Sequence, residues 1–225
     1  MRLIVGLFLC VLALPAVADE VRTVTVTGEG RISAEPDMAI LRLGVSREAR
    51  KASDAMRLAS EAATVVLALV KASGVEARDV QTSNVSLSPR WQNERNTAPR
   101  IVGYVASNDL SVRVRDLENL GALMDAVVSD GANQMNGLSF AIAEPRPLQD
   151  EARKAAVADA RAKAELLAAS AGVSLGQVIT ISELGGGQPP VAMARSTMME
   201  ASAVPIATGE VDFHARVTII FGIAE

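Results

Sequence analysis

The hydrophobic period of this chain switches several times between two and about 3.6 residues, and that switching constrains the fold more than any single motif does. Thr23 to Arg31 alternates β-branched residues, as a strand does. From Asp37 to Val45, Ala39, Leu41, Leu43 and Val45 share one face while Arg42 and Gly44 fall on the other, the mark of a half-buried strand. Val80 to Trp91 and Ile101 to Arg115 read as strands on either side of a polar loop, Gln92 to Pro99. Asn136-Gly137 leads into a strand with Leu138, Phe140 and Ile142 on one face. Val178 to Ser182 is a short strand, and Val211 to Ile223 a long one with Val211, Phe213, Ala215, Val217, Ile219 and Phe221 in line.

Helical spacing occupies the gaps. From about Arg50, Ala52, Met56, Ala59, Ala63, Val66 and Val70 recur at three and four residues, and Gly74 is the stop. Asp116 suits the N-cap of a short helix through Leu117, Leu120, Met124 and Val127, ending near Gly131. A second long helix runs from about Leu148 to Ala171, stopped by Gly172, and its stripe of Ala156, Ala160, Ala164, Leu167 and Ala171 permits close packing on a sheet. Asp150 with Lys154 and Asp159 with Lys163 make exposed pairs worth only about 0.3–0.5 kcal/mol each. Without strict β-α alternation the class is α+β. The expected architecture is a largely antiparallel sheet with about three helices layered on it, in one domain or two small ones. Gly28-Glu29-Gly30 is expected to form a turn or bulge, and the first two strands to pair as a hairpin around Ser33-Ala34-Glu35-Pro36. Glu183 to Pro205, rich in Gly, Pro and Met, reads as a mobile loop.

The first 18 residues have the anatomy of a cleavable signal peptide: Arg2, an apolar run from Leu3 to Leu14, then Ala16-Val17-Ala18 before Asp19. Twelve apolar residues rise about 18 Å as a helix, short of a bilayer core of roughly 30 Å. A permanent anchor is therefore the weaker reading. Cys10 sits mid-run behind bulky Phe8 and Leu9, which does not suit lipoprotein processing. Cleavage after Ala18 leaves residues 19–225 as the folded domain, removes the only cysteine, and shifts the formal charge from −4 to −5 by removing Arg2. The remaining chain folds without disulfides and offers no thiolate. A mildly acidic chain with one Trp and one Tyr lacks the basic field and stacking aromatics of a nucleic-acid binder.

No active-site constellation emerges from the residue types. His214, the single histidine, lies beside Asp212 and Arg216 on the polar side of the last strand. One histidine and no mature cysteine exclude zinc sites built from several such ligands. A triad through His214 lacks its nucleophile elbow, and a hydrolase is the remotest reading. Gly28-Glu29-Gly30 lacks the third glycine of a dinucleotide fingerprint, and Gly185 to Gly187 opens no helix. Glu48, Asp54 and Glu61 mark the polar side of the first helix without forming an acid–base pair, and Asp37 is explained by a turn at the start of its strand. Met193, Met198 and Met199 form the one unusual cluster, and thioethers suit Cu(I) or reversible oxidation. A small-ligand or copper-binding module built on that loop is therefore the runner-up function, although a flexible loop with incidental methionines explains it more simply. No catalytic residue and no cofactor are assigned.

Four stretches, Val24 to Val45, Asp79 to Trp91, Gly103 to Phe140 and Ala156 to Glu183, together resemble the SIMPL-domain family in its YggE-like group. The resemblance covers nearly all of the mature chain in order and is weakest over Glu183 to Pro205. It implies an exported α+β protein of two small two-layer units built into one domain. It further implies large ring- or channel-like homo-oligomers, as associated with a periplasmic member, and tolerance of oxidative stress, as associated with YggE-like members. The family supplies no catalytic residues to transfer. The expected protein is periplasmic, non-enzymatic and self-assembling, with envelope association that needs no transmembrane helix.

Overall fold

The computed structural model describes residues 22–94, 98–183 and 206–224, with the backbone of 191–193. Residues 1–18, expected as a signal peptide, lie outside the described residues with Cys10. Eight strands and three helices follow in the order β1 (Thr23–Ala34), β2 (Met38–Ala49), α1 (Ala52–Ala72), β3 (Val80–Gln92), β4 (Arg100–Val114), α2 (Leu120–Asp130), β5 (Gln134–Ala141), α3 (Arg146–Ser170), β6 (Ser174–Glu183), β7 (Val191–Met193) and β8 (Glu210–Ala224). They form two four-stranded antiparallel sheets. One is ordered β3-β4-β2-β5 and the other β1-β8-β6, with β7 also paired to β8. The fold is α+β, as the period changes imply, and each sheet carries its own helical layer.

In the first unit, β2 turns Ala39, Leu41, Leu43 and Val45 inward, all of them buried. They meet Leu110 and Val112 of β4, Val66 and Val70 of α1, and Leu120, Leu123 and Val127 of α2. Gly74 follows α1 at a φ of +85°, the left-handed conformation that ends a helix at little cost for glycine. Gly172 does the same for α3 at +73°. α2 starts later than Asp116 predicts. Leu120 N–H closes a turn onto the Leu117 carbonyl, and Asp116 accepts from the Asn119 amide and side chain (3.3 and 2.6 Å) instead of capping the helix itself.

The second unit departs from expectation in four places. β1 and β2 are not a hairpin. β1 pairs with β8 along its length, from Thr23↔Gly222 to Ala34↔Val211, and β2 lies between β4 and β5 in the other sheet. A two-residue hairpin turn wants glycine or asparagine at positive φ, which the Ser33–Pro36 segment lacks, while β8 offers a full-length partner. Gly28 and Gly30 form neither turn nor bulge, since their register with Val217 and Ala215 is unbroken. They make room instead: a Cβ at Gly28 would lie 2.0 Å from the Ala156 carbonyl oxygen, and one at Gly30 2.0 Å from that of Ala152. The stripe of α3 that fits them is Ala152, Ala156, Ala160, Ala164 and Ala168. Leu167 is exposed, and Ala171 lies beyond the helix. A strict i+4 row is a ridge inclined to the helix axis, which lets the helix cross the twisted strands on alanine alone. Finally, Val191–Met193 within the expected loop is a short strand, paired to Asp212 through Glu210 of β8.

Candidate functional site

Among the described residues no group of three or more His, Asp, Glu or Cys is placed to hold a metal ion. His214 is exposed on the helix-free face of the second sheet, directly across from Arg31. Asp212, two residues away and on the same face, is only 3% exposed. Its carboxylate accepts from Ser33 Oγ at 2.5 Å and Arg31 Nη2 at 2.6 Å. The Ser33 hydrogen bond, and then Arg31, hold the Asp212 carboxyl below its ordinary value against the opposing effect of burial. Asp212 therefore ties β8 to β1.

A second buried carboxylate sits at the end of the first unit. A 3₁₀ turn, Ala77–Asp79, delivers Asp79 to the end of β4, where Arg115 donates to both oxygens at 2.8 and 3.0 Å. The bidentate Arg115 hydrogen bond lowers the Asp79 pKa, again opposed by desolvation. A recess of about 140 Å³ opens beside the pair, lined also by Glu76, Arg113, Asp116 and Asn119. Ligand clefts span roughly 300–1,000 Å³, so this recess suits a few waters rather than a substrate. The start of α3 borders an open hollow of about 610 Å³ among Glu144, Arg146, Asp150, Glu151 and Lys154, within the volume range of ligand clefts, where charges of both signs mix.

A third polar cluster crosses the helix-free face of the first sheet. Asp109 of β4 lies over Gly44 of β2, where a Cβ would come within 2.3 Å of its Oδ1. Its oxygens accept from Asn84 of β3 at 3.2 Å and Asn136 of β5 at 3.1 Å. One carboxylate thus links the two edge strands across β2. Asp37, expected to serve a turn at the start of its strand, reaches instead to the segment after β5, where its Oδ1 accepts the Ala143 N–H at 2.7 Å. Glu48 belongs to β2 rather than to the first helix and pairs with Arg90 at 3.1 Å. Glu61 pairs with Arg57, while Lys154 meets Glu151 in place of Asp150. Lys163 meets Asp159 as expected, and Asp159 also accepts the Glu29 N–H at 2.8 Å, joining α3 to β1.

Of the methionine cluster, Met193 ends β7 opposite Glu210. Met198 and Met199 lie outside the described residues, as do Gly185 to Gly187. What stands out on the described surface is apolar. Val178, Ile179 and Ile181 of edge strand β6 and Leu166 and Leu167 of α3 face solvent, as do Val85, Leu87, Trp91 and Ile101 of the β3–β4 hairpin. Sequence reasoning missed Asp79, Asp212, Arg115 and Asp109 as paired groups. Nothing in strand parity separates Asp212 from exposed His214, while Gly44 opposite an acid was a signal only once the register was known.

Two helix-backed antiparallel sheets with internally matched polar clusters define a small α+β protein built as a pair of two-layer units. The model of the SIMPL family, described as a protein of unknown function (DUF541), matches residues 24–221, and the chain belongs to that family. It is 42% identical over 237 residues to the 26 kDa periplasmic immunogenic protein of Brucella melitensis, covering 98% of this chain and 93% of the relative. It is 26% identical to the uncharacterized protein YggE of Escherichia coli K12 over 204 residues, 88% of this chain and 82% of the relative. YggE of Edwardsiella ictaluri is also 26% identical, over 208 residues. No helix among the described residues is long and apolar enough to cross a membrane.

Proposed function

We propose that residues 19–225 form an exported periplasmic protein that acts without catalysis, assembles with copies of itself, and supports tolerance of envelope and oxidative stress. Export is supported by the leader's n-region, apolar run and small-residue cleavage motif, and by relatives named periplasmic. The observation that carries self-assembly is edge strand β6. It is exposed along nearly its whole length, with Val178, Ile179 and Ile181 each about half accessible and Leu166 and Leu167 exposed on the nearby helix. Register shifts on both sides of Val178 interrupt the regular ladder of β6, so its exposed apolar side chains rather than a free backbone edge support the reading, since such a patch marks a contact with another chain. The non-catalytic reading is supported by the polar clusters, whose acids are matched by arginines, serines and asparagines.

Light scattering on the 19–225 protein tests the assembly. The expected result is a defined oligomer at micromolar concentration that Ile181→Asp with Val178→Asp shifts toward the monomer. A strict monomer across that range overturns it. The stress role is checked by peroxide challenge of a deletion strain, where unchanged survival removes it.

A further inference from the structure

Asn136 is the only asparagine in the chain that is followed by glycine. The fold places that pair at an irregular point of β5, the edge strand beside β2. The ladder runs through Leu138↔Leu41 and Gly137↔Arg42, then resumes at Met135↔Leu43, so Asn136 is an extra residue with no partner across the pair. Asn136 is exposed, and Gly137 takes a φ of +137°, a conformation open to glycine and strained for residues with a Cβ. A Cβ built on Gly137 would meet nothing within 4 Å, so the space beside this peptide is open. The bulge also aims the side chain. Asn136 Nδ2 donates to Asp109 Oδ1 at 3.1 Å, across Gly44 of β2, and Asn84 Nδ2 donates to the other oxygen at 3.2 Å.

Asparagine before glycine is the least hindered case of a reaction in which the next main-chain nitrogen attacks the side-chain carbonyl carbon. Here the Gly137 nitrogen gives up its proton to a base in solution and bonds to Asn136 Cγ. The Cγ–Nδ2 bond breaks, and Nδ2 leaves as ammonia. Water then opens the five-membered imide, at Cγ to give aspartate or at the main-chain carbonyl to give isoaspartate. In the net change one water is consumed and one ammonia released, with nothing oxidised or reduced. Ring closure needs main-chain torsions that a regular ladder resists, and a bulged residue on an edge strand is held less firmly than a ladder residue. Asn84 is the internal contrast. It donates to the same carboxylate and is also exposed, but the residue after it is Val85, β-branched and in register with Asn108.

We propose that Asn136–Gly137 is a self-modification site, whose hydrolytic deamidation unlinks β5 from Asp109 and irreversibly loosens that edge of the first sheet. The product replaces the donor that Asp109 accepts with a second carboxylate, so two acids face each other where a hydrogen bond stood. β5 then keeps only its β2 ladder and the packing of Leu138 and Phe140 on the first core. The site is independent of the assembly and stress readings.

The 19–225 protein is held at mildly alkaline pH, folded or unfolded in guanidinium chloride, and digested at intervals for peptide mass spectrometry. The expected result is conversion of Asn136 in the folded protein within about a hundredfold of the unfolded rate, as aspartate and isoaspartate, while Asn84 remains an amide. Stronger protection than that, or conversion of Asn84 as fast as Asn136, overturns the site. Asn136→Gln keeps the amide donor and is expected to abolish conversion at this position, because the ring it would close is larger and forms far more slowly. Conversion that persists there at the same rate contradicts attack by the Gly137 nitrogen. Asn136→Asp supplies one product directly and is expected to lower the urea midpoint at neutral pH. Adding Asp109→Asn exchanges the roles of the two partners and is expected to recover most of the loss. An unchanged midpoint in Asn136→Asp, or no recovery in the double variant, overturns the unlinking.

Discussion

The two units solve the same packing problem with opposite chemistry. The first seats α2 and the second half of α1 on β2 and β4 through large side chains, with Leu41, Leu43, Leu110, Val66, Val70 and Val127 all essentially inaccessible, and only the start of α1 packs through alanines, Ala55 and Ala59. The second seats α3 on β1 through alanines facing Gly28 and Gly30, and the bulk in its core comes from Phe213, Ile219 and Phe221 of β8. In the first, stability derives from apolar volume removed from water. In the second, it derives from helix and strand backbones brought close enough for dense contact. A core of leucines is sensitive to truncation, whereas a glycine–alanine joint is sensitive to growth.

Gly28→Val tests that contrast most severely. The new Cβ would lie 2.0 Å from the Ala156 oxygen and 2.6 Å from the Ala160 nitrogen, so backbone rather than a movable side chain has to give. The expected cost exceeds about 4 kcal/mol, enough to remove most of a small domain's stability. Soluble yield and denaturant unfolding measure it. Because the clash is with main-chain atoms, adding Ala156→Gly is expected not to rescue. Rescue would mean that the joint depends on side-chain volume after all.

Leu43→Ala in the first unit comes next, at about 2–5 kcal/mol by urea unfolding, while Leu43→Met stays within about 1.5 kcal/mol. A loss under 1 kcal/mol for the alanine variant would show that α1 and the sheet relax into the cavity, erasing the contrast between the units.

Much of this architecture was legible because period reports which face is buried. Ala39, Leu41, Leu43 and Val45 in β2 and the alternating row of β8 were read as they fold. Pairing was not, because alternation says which side of a strand is apolar and nothing about which strand lies beside it. Thus β1 was assigned to β2 when its partner, β8, lies at the far end of the chain. Gly28 and Gly30 were misread for a related reason. A glycine serving a turn and one serving close approach look alike until the alanines of α3 are set against them. The polar clusters were the least visible, since Asp79 and Arg115, or Asp212 and Arg31, meet only through tertiary structure.

Those two ion pairs give the smallest and most discriminating comparison. Each joins a carboxylate at 3% exposure to an arginine about half exposed, Arg115 at 47% and Arg31 at 55%. Removing either arginine strands a buried anion, whereas removing the aspartate leaves a solvated cation. Arg115→Ala is therefore expected to destabilise more than Asp79→Ala, since an unsatisfied buried acceptor costs about 1–3 kcal/mol. Arg31→Ala is expected to be milder, because Asp212 keeps the Ser33 hydroxyl. The pH dependence follows in sign. Both carboxyls sit below their ordinary value of 3.8 in the folded protein. The stability they contribute is complete above that value and is lost as pH falls through the lower folded values. In Arg115→Ala the main lowering influence on Asp79 is gone and desolvation remains, which pushes that carboxyl upward, so acidification relieves part of the damage. Urea unfolding between pH 3 and 7 should therefore show the gap between wild type and Arg115→Ala narrowing toward acid, and narrowing less for Arg31→Ala. A gap that stays constant in both would mean that neither arginine holds its carboxylate ionised.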